Sequence, residues 1–289
     1  MINEENSMLE MHQQWMSRHG RVYKDEQEEG ARFKIFKDNV DRINAFNSGA
    51  DKGYKLGVNQ FADLTNEEFW ASRNGYKRQS PGQVISGSER ASFRYANVTV
   101  SLSAIDWRKK GALLSLSKQE LVDCDVKGED EGCNGGYMNT AFKFIKHNEG
   151  LTTEANYPYV GRDGTCKSKK LHKPVAAKIT GYEDVSKNSE KALLQAVANQ
   201  PVSVNIDASG DDFQFYSSGV FNGPCSTKLD HGVTAVGYGT TSDGTKYWLI
   251  KNSWGSGWGD NGYMKMKRDV AAKEGLCGIA MNASYPVMD

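Results

Sequence analysis

No apolar run in this chain approaches the ~20 residues that crossing a bilayer requires. Net charge is missing too. Thirty-six basic residues balance 36 acidic ones, so nothing in bulk attracts nucleic acid or an anionic membrane surface. The start, Met-Ile-Asn-Glu-Glu-Asn, lacks the basic residues and apolar stretch of a secretory leader. Proline is absent before Pro81. Cysteine is scarce and scattered. Cys124, Cys133, Cys166, Cys225 and Cys277 form no Cys-x-x-Cys pair and have no histidine cluster beside them. That excludes the usual zinc patterns, and no cofactor is expected. Paired disulfides fit better, with one cysteine left over.

What remains is a globular profile of 289 residues, 38% hydrophobic and 25% charged. That length suits two ordinary domains, or one domain and a long extension. Residues 1–76 are expected to be helical. Phe33, Phe36, Val40, Ile43 and Phe46 recur in steps of three and four, the spacing of one helix face. Residues 77–102 turn to Ser, Gly, Gln and Arg around Ser80-Pro81-Gly82 and read as a linker. Residues 103–289 are rich in Gly, Tyr and Trp. Within them 117–123, 137–148 and 189–199 read as helices, the first with a capping box between Ser117 and Glu120. Val202 to Ile206, Gly232 to Tyr238, Tyr247 to Lys251 and Tyr263 to Met266 read as strands between Gly-rich turns. His12, His19, His147 and His172 stand among polar neighbours and are expected at the surface. Asn97-Val98-Thr99 and Asn282-Ala283-Ser284 fit the N-glycosylation sequon.

Two sets of residues in the first region are more specific. Glu28, Arg32, Phe36, Asn39, Ile43 and Asn47 share one face of a single helix, with Glu28 and Arg32 able to pair across a turn. Gly57, Asn59, Phe61 and Asp63 follow at alternate positions. In sequence these resemble, in full and in order, the ERFNIN and GNFD motifs of the papain-family propeptide. The resemblance continues. Ile105-Asp106-Trp107-Arg108 resembles the start of the mature enzyme, and Gly132-Cys133-Asn134-Gly135-Gly136 the glycine-rich cleft loop. Leu229-Asp230-His231-Gly232 resembles the catalytic histidine segment, and Lys251-Asn252-Ser253-Trp254-Gly255 the asparagine segment.

The resemblance implies an α+β, papain-like two-lobe fold behind a helical inhibitor propeptide. It implies peptide-bond hydrolysis by Cys, His and Asn, in a lysosome, a vacuole or the extracellular space, by a monomer acting on peptide or protein substrates. In that chemistry an imidazolium stabilises a thiolate and then gives its proton to the leaving amine. His231 would be the acid, Asn252 would orient it, and Trp254 would shield their hydrogen bond. Asn134, Gly135, Gly136, Tyr137, Met138 and Asp230 would join Trp254 in holding substrate. By family position Cys124 pairs with Cys166 and Cys225 with Cys277.

The pattern breaks at its most important residue. Counting back from His231 by the ~130–150 residues that separate it from the nucleophile in the family reaches 81–101, where no cysteine stands. No Cys-Gly-x-Cys-Trp run occurs anywhere, and the glutamine that donates to the oxyanion has no counterpart. Both flanks are intact, so the gap falls between Ala112 and Leu113. The family places the nucleophile turn and the long central helix of the first lobe there. Cys133 would lose its partner with that stretch, and the apolar faces of 117–123 and 137–148 would lose theirs. Cys124, between Asp123 and Asp125, is a poor substitute nucleophile because two carboxylates oppose its ionisation. Four outcomes stay open: a silent protease relative, a propeptide-type inhibitor that binds related proteases, a product that in fact carries the segment and is active, or a chain that folds poorly.

Overall fold

The computed structural model describes residues 2–73, 75, 93–110, 114–167 and 175–288. The join at Ala112 and Leu113, most of the linker, and His172 lie outside them. Helices α1 (Ile2–His19) and α2 (Glu26–Ser48), strand β1 (Tyr54–Leu56) and helix α3 (Asn66–Arg73) come first. Then follow β2 (Ile105–Asp106), α4 (Lys118–Cys124), α5 (Met138–His147), β3 (Gly181–Asp184), α6 (Glu190–Val197) and β4 (Val202–Ile206). The rest holds α7 (Asp211–Gln214), β5 (Tyr216–Phe221), β6 (His231–Thr240), β7 (Lys246–Lys251), β8 (Tyr263–Lys267) and β9 (Ala283–Val287). The class is α+β, as the sequence implies. No described helix is long and apolar enough to cross a membrane.

The chain gathers into two compact units. The first takes Met1–Arg73 with Ser209–Pro224 and Asn252–Lys265, and the second takes Asn74–Ala208, Cys225–Lys251 and Met266–Asp289.

The core of the first unit forms around α2. Its start is fixed by Asp25, whose carboxylate accepts the Glu28 N–H at 2.8 Å, satisfying one of the orphan donors of a helix N-terminus. Phe36, Val40 and Ile43 are buried, as their spacing predicts. The polar members of the same face do a different job: they hold the irregular chain that follows. Asn39 donates to the carbonyls of Ala62 and Leu64. Asn47 both donates to and accepts from the backbone of Leu56. Arg32 donates to the Glu68 carboxylate at 2.7 Å and to the Asp63 carbonyl. The expected Glu28–Arg32 pair is therefore replaced. Glu28 instead accepts the Lys24 N–H, because a tertiary carboxylate outcompetes a neighbour on the same helix. Residues 54–56 form a short strand on β5, where the sequence suggested only helix.

One histidine departs from expectation. His12 is fully buried, not at the surface. Its ring lies 4.9 Å from Phe36, 5.3 Å from Phe33, 5.9 Å from Trp15 and 6.2 Å from Tyr23. Neither ring nitrogen has a hydrogen-bond partner. Burial pushes its pKa down, and the Glu29 and Asp63 carboxylates offset this only in part. A lowered imidazole pKa contributes nothing while both folded and unfolded chains are neutral. As pH falls through about 6.5 the unfolded chain takes the proton first, so the first unit loses stability. The slope reaches up to about 1.4 kcal/mol per pH unit. Melting His12→Leu beside the parent chain at about pH 7 and about pH 5 should show a flatter acid response in the variant. Equal acid shifts in the two would remove His12 from the account.

In the second unit β7, β6, β4, β9 and β3 lie side by side in that order. Strand β2 adds to β6 through Ile105↔Tyr238. A Cβ at Gly237 would collide with the Ile105 carbonyl, so that close approach requires glycine. Val202, Val204 and Ile206 of β4 are fully buried, as are Leu193, Ala196 and Val197 of α6, which packs on β6.

The helical part of the same unit is packed differently. In α4 the buried residues are Gln119, Glu120 and Asp123, while Leu121 and Val122 are only half-buried. In α5 nothing is buried, although Phe142, Phe144 and Ile145 give it an apolar face. Between them is a cavity of 260 Å³ lined by Leu121, Val122, Tyr137, Met138 and Ala141. Polar bonds hold what remains. Ser117 accepts the Glu120 N–H at 2.9 Å, but Glu120 does not complete the capping box. Its carboxylate takes the Thr152 N–H and the Asn148 amide instead.

Candidate active site

His231 opens β6 at the edge of the β4 pairing, opposite Ile206, and is 5% exposed. The residue before it sets its position. The Asp230 N–H donates to the Ile206 carbonyl, and the Asp230 carboxylate accepts the Ala208 N–H at 2.9 Å. Asp230 thus pins the entry to the strand from both sides. Asp207 likewise accepts the Ser226 N–H, beside the Cys225–Cys277 disulfide. A second disulfide joins Cys124 to Cys166. Cys133 is a free, exposed thiol.

The glycine-rich segment lies in the same unit. Gly132–Asn134 makes one 3-10 turn, and Gly135 follows with φ 95°. A Cβ at Gly135 would run into the carbonyl of Gly75. The backbone of Gly75 therefore lies directly on this loop. Asn134 is exposed beside it. Tyr137 and Met138 leave the loop and line the 260 Å³ hollow. The Tyr137 N–H is held by the Asp130 carboxylate at 2.7 Å. Asp125 and Asp130 share a hydrogen bond in the wall of that hollow, and burial with this neighbour pushes the Asp125 pKa up.

Asn252 and Trp254 lie in the first unit. The Asn252 N–H donates to the Gly262 carbonyl, and its side-chain oxygen accepts the Ser253 N–H at 2.7 Å. Trp254 is nearly buried. Its ring meets Phe69 at 5.0 Å, Trp258 at 5.1 Å, Phe213 at 5.7 Å and Phe61 at 6.0 Å, each edge-on. That is the geometry aromatic quadrupoles favour. The expected anchors Gly57, Asn59 and Phe61 all touch the same unit's later segments. The Gly57 N–H donates to Phe215, and the Asn59 amide to Gln214. Sequence reading missed three partners. Gln60 donates to the Trp254 carbonyl at 2.7 Å, Arg42 pairs with Asp212 at 2.8 Å, and Phe69 fills the aromatic cluster. The repeat of Phe61, eight residues on, was the one available signal for Phe69.

Residues 91–287 match the profile of the family described as "Papain family cysteine protease". The chain belongs to the papain family of cysteine proteases. Residues 12–69 match the "Cathepsin propeptide inhibitor domain (I29)", so this papain-family chain is built as a precursor. It is 50% identical to the senescence-specific cysteine protease SAG12 of Arabidopsis thaliana, over 99% of this chain and 92% of that one. It is 48% identical to vignain of Ricinus communis, over 99% and 88%. Among solved structures, a recombinant stem bromelain precursor superposes with a TM-score of 0.86 at 41% identity, covering 98% of this chain and 99% of that one. The proform of the ragweed pollen cysteine protease Amb a 11 gives 0.88 at 38%, covering 99% and 96%. The alignment with the Arabidopsis protease spans 322 positions against 289 residues in this chain. That relative therefore has residues with no counterpart here.

Proposed function

We propose that this papain-family precursor is catalytically silent, and that His231 and Asn252 are the remainder of a site without a nucleophile. The supporting observation is the fate of the cysteines. Four of the five are in disulfides. The fifth, Cys133, has its thiol pKa raised, by burial first and then by the Asp163 carboxylate. A papain-type nucleophile needs the opposite shift. The long alignment with the Arabidopsis protease supports a missing stretch. Purified, acid-treated chain should show no peptide hydrolysis that a thiol-directed epoxide blocks. Detecting such hydrolysis would sink the proposal. Reading the transcript across the Ala112 and Leu113 codons separates a true loss from an exon the sequence lacks.

A second reading rests on the first unit. Its two motifs are intact: residues of the first hold 56–68 in place, and Gly57, Asn59 and Phe61 of the second make the contacts given above to 209–224 and 252–265. Such an inhibitor region can act on a related protease that supplies equivalent segments. Residues 1–100 made alone should inhibit a related enzyme at micromolar concentration; no inhibition at that level removes this reading.

A further inference from the structure

Neither proposal uses the two sequons, and the fold treats them very differently. Asn282-Ala283-Ser284 leads into β9. Asn282 is half-buried, its carbonyl accepts the Asn205 N–H, and Ser284 is fully buried opposite Asp184 and Ser203. A glycan there would have to be accommodated beside a strand that is paired on both sides. Asn97-Val98-Thr99 lies on a turn with both Asn97 and Thr99 exposed. The turn is held firmly. Gln195 of α6 donates to the carbonyls of Ala96 and Val98. Arg94 pairs with Glu183 at 2.9 Å, and the Tyr95 ring meets Tyr285 at a tilt with centroids 5.3 Å apart. Beside Asn97 a recess of 420 Å³, lined by Val98, Val100, Lys191 and Leu194, leaves room for a proximal sugar.

We infer that Asn97 is an N-glycosylation site and that Asn282 is not. The two disulfides support this independently, because they mark an oxidising compartment, and the secretory route that supplies one also carries the glycan donor. In the transfer the Asn97 amide nitrogen attacks C1 of a lipid-diphosphate-linked oligosaccharide. The N–C1 bond forms, and the bond from C1 to the diphosphate oxygen breaks. The lipid diphosphate leaves with the electron pair, and the amide gives up one proton to the transferase base. The hydroxyl of Thr99 is the sequon's recognition element.

The test is expression of the full chain behind a cleavable leader in a eukaryotic host, reading microsomal and secreted fractions together so that poor folding does not hide the result. Peptide N-glycosidase should remove the mass of one glycan and convert Asn97 to Asp in the mass spectrum. Asn97→Gln and Thr99→Ala should each abolish that mass, while Asn282→Gln leaves it unchanged. A chain insensitive to the glycosidase, or a glycan that survives in Asn97→Gln, would overturn the inference.

Discussion

Inserting a relative's nucleophile segment between Ala112 and Leu113 should give this chain the thiol-protease activity that it is proposed to lack. In a Ser/His/Asp protease, losing the nucleophile alone costs on the order of 10⁶ in kcat, so the gain should be large enough to read from zero. The reason is chemical. Asp230 pins the entry to β6 ahead of His231, and the Asn252 side-chain oxygen accepts the Ser253 N–H; on the reading proposed above, the insertion supplies the thiol and the oxyanion donor. The same insertion carries the family's central helix and should cover Leu121, Val122 and Met138 around the 260 Å³ hollow. A Cys→Ser change in the inserted nucleophile separates the two effects: activity is lost and the stability gain stays. An insertion that improves folding but leaves the chain inert would show that the gap is not the cause of silence.

Replacing Phe69 by Ala should cost about 3–5 kcal/mol, the usual toll for deleting a buried aromatic ring. Phe69 is fully buried, 5.2 Å from Phe61 and 5.0 Å from Trp254. Its loss also strips one of four edge-on partners from Trp254, so both transfer and ring-geometry terms are forfeited. Unfolding of the first unit should fall by on the order of 10 °C. Trp70, the next residue on α3, is 48% exposed, and Trp70→Ala is the control that should stay within about 0.5 kcal/mol. Circular dichroism melts of the two variants check this. Equal losses from both would mean that α3 contributes through helix formation and not through its buried ring.

Where the sequence was legible, short-range periodicity carried the signal. The α2 stripe and strand β4 follow from steps of three, four and two, and Val202–Ile206 coincides with its expected range. Strand β5 was not seen because Tyr-Ser-Ser-Gly-Val-Phe reads as a turn. Its pairing with β1 supplies what its own residues do not. Strand β9 contains Pro286, and β3 is Gly-Tyr-Glu-Asp, so neither has a strand's composition. His12 was misplaced because its chain neighbours Met11 and Gln13 are exposed. Most of the rings that enclose it arrive from 23, 33 and 36. Glu68 displaced Glu28 as the partner of Arg32 for the same reason: the winning contact is long-range. The half-buried apolar residues of α4 and α5 match the expectation drawn from the gap, since a missing stretch would leave its neighbours' apolar residues in place.

That hollow has a consequence for how long the molecule lasts. A helical part with few buried apolar side chains around an unfilled hollow is expected to open locally more often than the sheet beside it, although the Cys124–Cys166 disulfide ties its first helix down. Such an opening would expose Leu121, Val122, Phe142 and Phe144, and exposed apolar surface is what chaperones and proteases act on. Hydrogen exchange should therefore be faster in α4 and α5 than in β4 and β6; equal protection of the two would remove the hollow from the account.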